Sequence, residues 1–372
     1  MDEGPRRSAP ADRAGGPGDV GLSRCVHPTV GRRRWNAYFV CGFAGYLAGV
    51  ALVTALAFRL ELDVTVRAML VLVPPLTMLV AIKLSQLVFG DERIVFYQQT
   101  IAVVATTVAA VALAGGPAAR AFDLATLGMG LGLALGRVGC FRVACCYGRR
   151  ARRGVRYRAV HAAAGFPPRW VGLPLVPLQL IDAAASLTAT IGGVATLCAG
   201  APAGTAACTY VVGYGLSRFA LEFERGDPAR PIVAGISEAQ WTAAATAGLA
   251  AALHPAWWTI GAAAALAVAC GGLVAVDRWD LAPALTLGTA HHVDELAAAI
   301  DRRGATTSAG VRVTVARLPD GRTDVVVTRP GRRIDARALT RVAAQLGHPW
   351  ASCEVVPGKT AGLFHLLLSV EG

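Results

Sequence analysis

The predicted fold class is an all-α polytopic membrane bundle of seven or eight transmembrane helices, followed by a small soluble α/β domain. Three observations carry it. Hydrophobic residues make up 54% of the chain and charged residues only 16%, with a mean hydropathy of +0.49, which no soluble domain of ordinary composition shows. Apolar runs of the length needed to cross a bilayer, about 20 residues, recur between residues 35 and 277. Near Leu281 the pattern changes to short alternating and amphipathic stretches with ordinary polarity.

Met1–Arg34 is rich in Gly, Pro, Arg and Ala and reads as a disordered basic tail. The run behind it is too long for a signal-peptide core, so the first span is expected to act as the insertion signal. That span is Trp35–Phe58, with Trp35 and Tyr38 at the interface. Ala68–Phe89 is the second, kinked near its start by Pro74 and Pro75 and carrying Lys83, which must snorkel or face the bundle. The polar link Gly90–Arg93 leads to Val95–Leu113, whose opening Tyr97-Gln98-Gln99 is polar enough to face a cavity. Gly115-Gly116-Pro117 is a turn. Phe122–Phe141 follows, with Gly128, Gly130, Gly132 and Gly136 permitting close approach of a neighbouring helix or a ligand.

Arg142–Pro174 is a long polar connection with eight arginines and His161. Pro177–Leu197 and Ala206–Leu221 are the fifth and sixth spans. Gln240–Leu253 is short, and after the His254-Pro255 interruption Trp257–Val276 completes the bundle. The boundaries are then a tail over 1–34, a membrane domain over 35–277 and a soluble domain over 281–372. In the last, His291–Arg302 and Ile334–Leu346 read as helices, with His291-His292 a solvated helix start rather than a metal pair. Val311–Leu318, Thr323–Thr328 and Leu363–Val370 read as strands.

The net charge of +12 is almost wholly arginine, since Lys83 and Lys359 are the only lysines. These arginines flank apolar spans without interleaved aromatics, which points to anionic lipid headgroups and away from nucleic acid. Nine cysteines show no regular framework, and several lie inside spans, so a disulfide scaffold is not expected. Positive-inside counting over eight crossings puts the tail, the Arg142–Pro174 loop and the C-terminal domain in the cytoplasm.

The chemistry gathers at Gly136–Arg153, GRVGCFRVACCYGRRARR, where hydrocarbon gives way to headgroup. Ionisable groups at that depth persist mainly where they line a cavity or hold a charged ligand. Arginine grips phosphate bidentately, so this stretch is expected to hold a phospholipid phosphate. Three cysteines beside it, Cys140, Cys145 and Cys146, admit three readings. Arginine-rich surroundings favour a reactive thiolate at Cys145 or Cys146. A metal or redox site is a second reading, although Cys-x4-Cys-Cys without a nearby histidine is not a standard ligand spacing. Small residues packed beside a turn are the third.

Gly136-Arg137-Val138-Gly139-x-Phe141, with Tyr147-Gly148-Arg149 behind it, resembles the signature of prolipoprotein diacylglyceryl transferases. Trp35–Leu56, Val176-Pro177-Leu178-Gln179-Leu180-Ile181-Asp182 and Arg218-Phe219-x-x-Glu222-Phe223-x-Arg225-x-Asp227 resemble three further stretches of that family in order and spacing. The likeness implies transfer of a diacylglyceryl group from phosphatidylglycerol to the lipobox cysteine thiol of a prolipoprotein, in a multi-pass protein of the bacterial cell membrane. No metal or organic cofactor is implied. Phosphate chemistry, set in these motif frames, assigns Arg137 and Arg225 to the phosphate, and the arginine-rich surroundings make Cys145 the candidate thiol. Gly136, Gly139, Tyr147, Gly148, Arg149, Gln179, Arg218 and Glu222 would line the substrate, Glu222 orienting Arg218 or Arg225 rather than acting as a base. The family's active site opens toward the outer leaflet, opposite to the side that charge counting gives.

The chain also departs from the family pattern. Cys140 and Val143 stand where the family has Asn, and Cys145 where it has Glu. Val176, Ile181 and Asp182 replace His, Tyr and Glu, and Tyr97-Gln98-Gln99 stands for a His-Gly-Gly stretch. These changes resemble a divergent Cys-Cys-Tyr-Gly branch. They leave a second expectation, a lipid-binding or regulatory homologue that has lost the usual acid and base residues.

Overall fold

The computed structural model describes residues 26–27, 29–30, 33–89, 96–227, 232–278, 287–330, 334, 336–346, 350–360 and 362–370. Most of the basic tail, the Gly90–Arg93 link and the side chains of Tyr97, Gln98 and His291 lie outside the described residues.

Helix α1, Ala37–Arg59, starts at Asn36, whose side-chain oxygen accepts from the Tyr38 amide at 2.9 Å. Helix α2, Val64–Phe89, begins four residues before the apolar run, because the Asp63 carboxylate accepts from the Thr65 amide at 2.7 Å. Pro74 and Pro75 lie inside it. Helices α3, Phe96–Leu113, and α4, Ala118–Val143, are joined by the expected Gly-Gly-Pro turn. Helices α5, Leu178–Cys198, and α6, Thr205–Leu221, follow the basic loop. Helix α7, Glu238–Leu253, opens on a capping box in which Ser237 and Gln240 satisfy each other's amides, which sets its start two residues before the expected one. Helix α8 is Trp257–Arg278.

Among the described residues, α1, α2, α4, α5 and α8 are long and apolar enough to cross a membrane. The expectation of seven or eight crossings is met only to that extent. Helices α3, α6 and α7 have 18, 17 and 16 residues, short of the ~20 that a perpendicular span needs. The molecule is a mostly helical, multi-pass membrane protein.

Helix α4 is the axis of the bundle. It packs against α1, α3, α5 and α6, and Leu124, Leu127 and Ala121 on it are fully buried. The approach of α1 is set by glycines. A Cβ at Gly45 would stand 2.7 Å from the Gly132 carbonyl oxygen, and one at Gly49 2.7 Å from that of Gly128. Such contact between backbones drives helix association where water does not. On the other flank the Ser186 hydroxyl of α5 donates to the Gly130 carbonyl at 2.8 Å and lies 3.0 Å from the Tyr210 hydroxyl of α6.

The basic loop folds onto itself. Strand β1, Arg150–Arg156, pairs with β2, Pro174–Leu175, over a small core of Tyr147, Tyr157, Phe166, Trp170 and Leu175. A second ribbon, β3, Ile232–Val233, with β4, Ile236–Ser237, leads into α7. Beyond α8, helix α9, Ala290–Asp301, and helix α10, Ala336–Ala343, pack with a five-stranded antiparallel sheet. Its strands are β5, Gly304–Thr306; β6, Arg312–Arg317; β7, Thr323–Thr328; β8, Trp350–Pro357; and β9, Leu363–Val370, in the order β8-β9-β7-β6-β5. Two of the five strands, β5 and β8, have no counterpart in the sequence expectation. Strand β5 has only three residues, and β8 carries Pro357 and Glu354 within its run.

His292 is a correction. It is buried rather than solvated, with Nδ1 2.8 Å from the Leu287 carbonyl and Nε2 3.1 Å from the Thr307 hydroxyl. The Thr289 side chain caps the helix in its place.

Candidate functional site

Helix α4 ends at Ala144, whose φ of 59° is left-handed, and Cys146 repeats that conformation at 52°. Each left-handed non-glycine residue costs on the order of 1 kcal/mol. Two within three positions turn the chain back over the helix end, and the Sγ atoms of Cys140, Cys145 and Cys146 come within 4.8 Å of one another. Gln179, at the start of α5 and buried, clamps this turn by donating to the Cys145 carbonyl at 2.6 Å and to the Tyr157 hydroxyl at 3.1 Å.

Hydrogen bonds from the Cys140 and Cys145 thiols, reinforced by the Arg225 and Arg137 guanidiniums, hold the Cys146 thiol well below the usual range, against the burial that raises it. The same sulfur contacts push Cys145 up. Of the two thiols that the sequence offers, Cys145 and Cys146, these surroundings favour the charged form at Cys146. Arg225, 88 residues beyond Arg137 in the chain, is bridged to Gly148 just past the end of α4, so the two segments meet at the cysteine turn.

Three buried arginines meet here, and each is matched to a carboxylate. Arg137 Nε lies 2.7 Å from Asp182 Oδ2, and Asp182 Oδ1 accepts from the Tyr214 hydroxyl at 3.0 Å. Arg225 presents Nε and Nη2 to the two oxygens of Asp227, with its Nη1 3.9 Å from Glu222. Arg218, 2% exposed, pairs with Glu222 one helical turn on. Glu222 thus sits between the two arginines it was expected to orient. Buried guanidiniums require such partners, because an unpaired one costs several kcal/mol. Arg137 meets Asp182 through its Nε.

Backbone crossings fix the frame. Gly148 bridges Arg225, the Arg149 amide donates to the Glu224 carbonyl at 2.9 Å, and the Gly226 amide donates to that of Tyr147 at 3.0 Å. A Cβ at Gly148 would meet the Val176 carbonyl oxygen at 2.6 Å, so the glycine is there for chain passage. Arg149 is half exposed and grips Glu224 with two bonds of 2.8 and 2.7 Å. Tyr147 is buried against Phe166, ring centroids 5.2 Å apart. Burial, helped by Asp227, pushes its phenol up to about 12, with Arg169 and Trp170 opposing. The phenol is a donor throughout the physiological range.

Gly136 and Gly139 behave differently. Gly136 has open space where a side chain would stand, whereas a Cβ at Gly139 would meet Cys41 Cβ at 2.9 Å and the Tyr38 backbone at 3.2 Å. Gly139 seats α1, and the side free for a ligand is that of Gly136. Through this seat Tyr38 comes within electrostatic reach of all three cysteines and Arg137. Sequence reasoning missed Tyr38, Tyr157 and Tyr214, and gave Asp182 and Asp227 no role. A signal was present for two of them: Asp182 lies three residues after Gln179 on one helical face, and Tyr214 four before Arg218.

A family model described as prolipoprotein diacylglyceryl transferase matches residues 91–256, from the polar link before α3 to the start of α8. Over this stretch the chain is similar to that family. No curated protein matches it. Prolipoprotein diacylglyceryl transferases are membrane transferases of lipoprotein biosynthesis, acting on a lipid donor and a prolipoprotein acceptor. The matched segment contains each of Arg137, Cys145, Cys146, Asp182, Arg218, Glu222 and Arg225.

Proposed function

We propose that the protein moves a diacylglyceryl group from phosphatidylglycerol to the lipobox cysteine thiol of prolipoproteins in the bacterial cell membrane, releasing glycerol phosphate. The observation that supports the reading is the bridge between Arg225 and Gly148, with the flanking Arg149–Glu224 and Gly226–Tyr147 backbone bonds, which brings Arg225 to the turn just beyond the helix that carries Arg137.

Displacement at a glyceryl carbon needs its phosphate leaving group stabilised as charge develops. Guanidinium N–H groups fixed by buried carboxylates supply that without reorganising. Arg137 holds the phosphate while Asp182 and Tyr214 keep its plane. Arg225 closes from the other side through Nη1, with Asp227 holding its fork and Glu222 balancing it against Arg218. Tyr147 contributes a phenolic donor. Gln179 acts through the Cys145 carbonyl as a positioning residue, and Arg149 ties the outer rim to Glu224. The membrane part is taken as residues 35–277 and the C-terminal part, 281–372, as a separate soluble domain.

The decisive experiment is transfer of labelled lipid to a lipobox peptide by purified protein, together with complementation of a transferase-deficient bacterium. Arg137→Ala and Arg225→Ala are each expected to lower transfer by about 100-fold or more. Phosphatidylglycerol binding without any turnover by the parent chain would sink the reading and favour the lipid-binding or regulatory homologue.

A further inference from the structure

Cys140, Cys145 and Cys146 form the one group of three or more metal-ligating side chains among the described residues. Only the fold assembles it, because the sequence separates its first two members by five positions. Four-coordinate zinc with Zn–S bonds of about 2.3 Å places its sulfurs about 3.8 Å apart, and the trio lies within 4.8 Å. Seating an ion requires a contraction of about 1 Å at most, within the reach of side-chain rotation.

The site is built rather than incidental. Two left-handed non-glycine residues fold the chain back on Cys140, the Gln179 amide clamps the turn, and Cys140 is buried. Three thiolates around a divalent ion leave one negative charge, next to the Arg137 and Arg225 guanidiniums. No fourth histidine, cysteine or carboxylate joins the group among the described residues. Structural zinc sites close with four protein ligands, whereas sites with three keep a position for water or substrate.

We infer that Cys140, Cys145 and Cys146 hold a zinc ion whose fourth position takes the acceptor's lipobox thiol. This rests on the transfer reading above and supplies the activation that the replaced acid and base residues would otherwise give. Coordination removes the thiol proton to water at the headgroup level. The zinc-bound thiolate attacks the glyceryl carbon: the C–S bond forms from a sulfur lone pair, and the carbon–oxygen bond to phosphate breaks. Its electron pair leaves on glycerol phosphate, facing Arg137. The thioether product is neutral, binds zinc poorly, and departs.

The test uses the reduced full chain in nanodiscs containing phosphatidylglycerol. Metal analysis is expected to give about one zinc per chain, and Cys140→Ser and Cys145→Ser to weaken zinc binding by more than about 100-fold. Cobalt substituted into the parent protein should show thiolate-to-cobalt absorption that changes with a lipobox peptide and not with its Cys→Ser analogue. This measurement needs no variant, so misfolded mutants do not decide it. Transfer by protein that takes up neither zinc nor cobalt overturns the metal site and leaves the transfer reading standing. A cobalt spectrum indifferent to the cysteine peptide overturns the open position. A spectrum that responds to the peptide in protein that never transfers lipid keeps the metal assignment and overturns the transfer reading.

Discussion

At the scale of single residues, the site is organised by compensation. Arg137, Arg218 and Arg225 are buried and each stands against its own carboxylate, so the cluster can stay charged in a poorly solvated place. Tyr147 shows the same economy in a neutral group. Its phenol titrates near 10 in an unfolded chain and at about 12 here, so folding favours the protonated form. The resulting stability is fully present below pH of about 10 and is lost as pH rises toward about 12, by roughly 2–3 kcal/mol for such a shift. Tyr147→Phe should flatten that loss, moving the alkaline midpoint of thermal unfolding upward, and spectrophotometric titration should lack one late tyrosinate. A tyrosinate lost near pH 10 instead would place the phenol in solvent.

At the scale of elements, the decisive contact is α1 against α4. Gly45 and Gly49 stack on Gly132 and Gly128 with no room for a Cβ, and the same pairing carries Tyr38 to the cysteine turn. Gly45→Leu or Gly49→Leu must push the helices apart, at a cost of about 1–3 kcal/mol for forced overpacking. Transfer should fall with it, because Gly139 and Tyr38 separate. Gly42→Leu, one turn away with open space around it, is the control. Thermal unfolding in detergent reads the difference, and equal melting of Gly42→Leu and Gly45→Leu would refute close packing as the role of these glycines.

At the scale of the whole molecule, the helices of the C-terminal part, α9 and the end of α10, are tied to the basic loop beside the site. The Gln345 side chain accepts from the Arg150 amide at 3.0 Å and donates to its carbonyl at 3.4 Å, matching one residue of backbone as a strand partner would. Arg150 also donates to the Ala344 carbonyl at 3.3 Å, and Arg169 pairs with Asp294. These bonds hold β1, adjacent to Arg149. Gln345→Ala should loosen it, giving several-fold faster tryptic cleavage within Arg150–Arg153, since proteolysis follows local opening. Unchanged cleavage would mean that the loop's own core of Tyr157, Phe166 and Trp170 suffices.

Composition and apolar run length determined the membrane bundle and the approximate place of every long helix, because burying a backbone in hydrocarbon admits few solutions. The motif stretches also marked Arg137 and Arg225. Helix ends moved where a cap outside the apolar run, Asp63 or Ser237, began the helix earlier than hydropathy does. The pairing of Arg137 with Asp182, the meeting of Cys140 with Cys145 and Cys146, and the seat of Tyr38 on Gly139 were decided by tertiary structure alone. Hydropathy reports a residue's transfer to lipid one position at a time, whereas an ion pair or a ligand set is a distance between positions far apart in the chain.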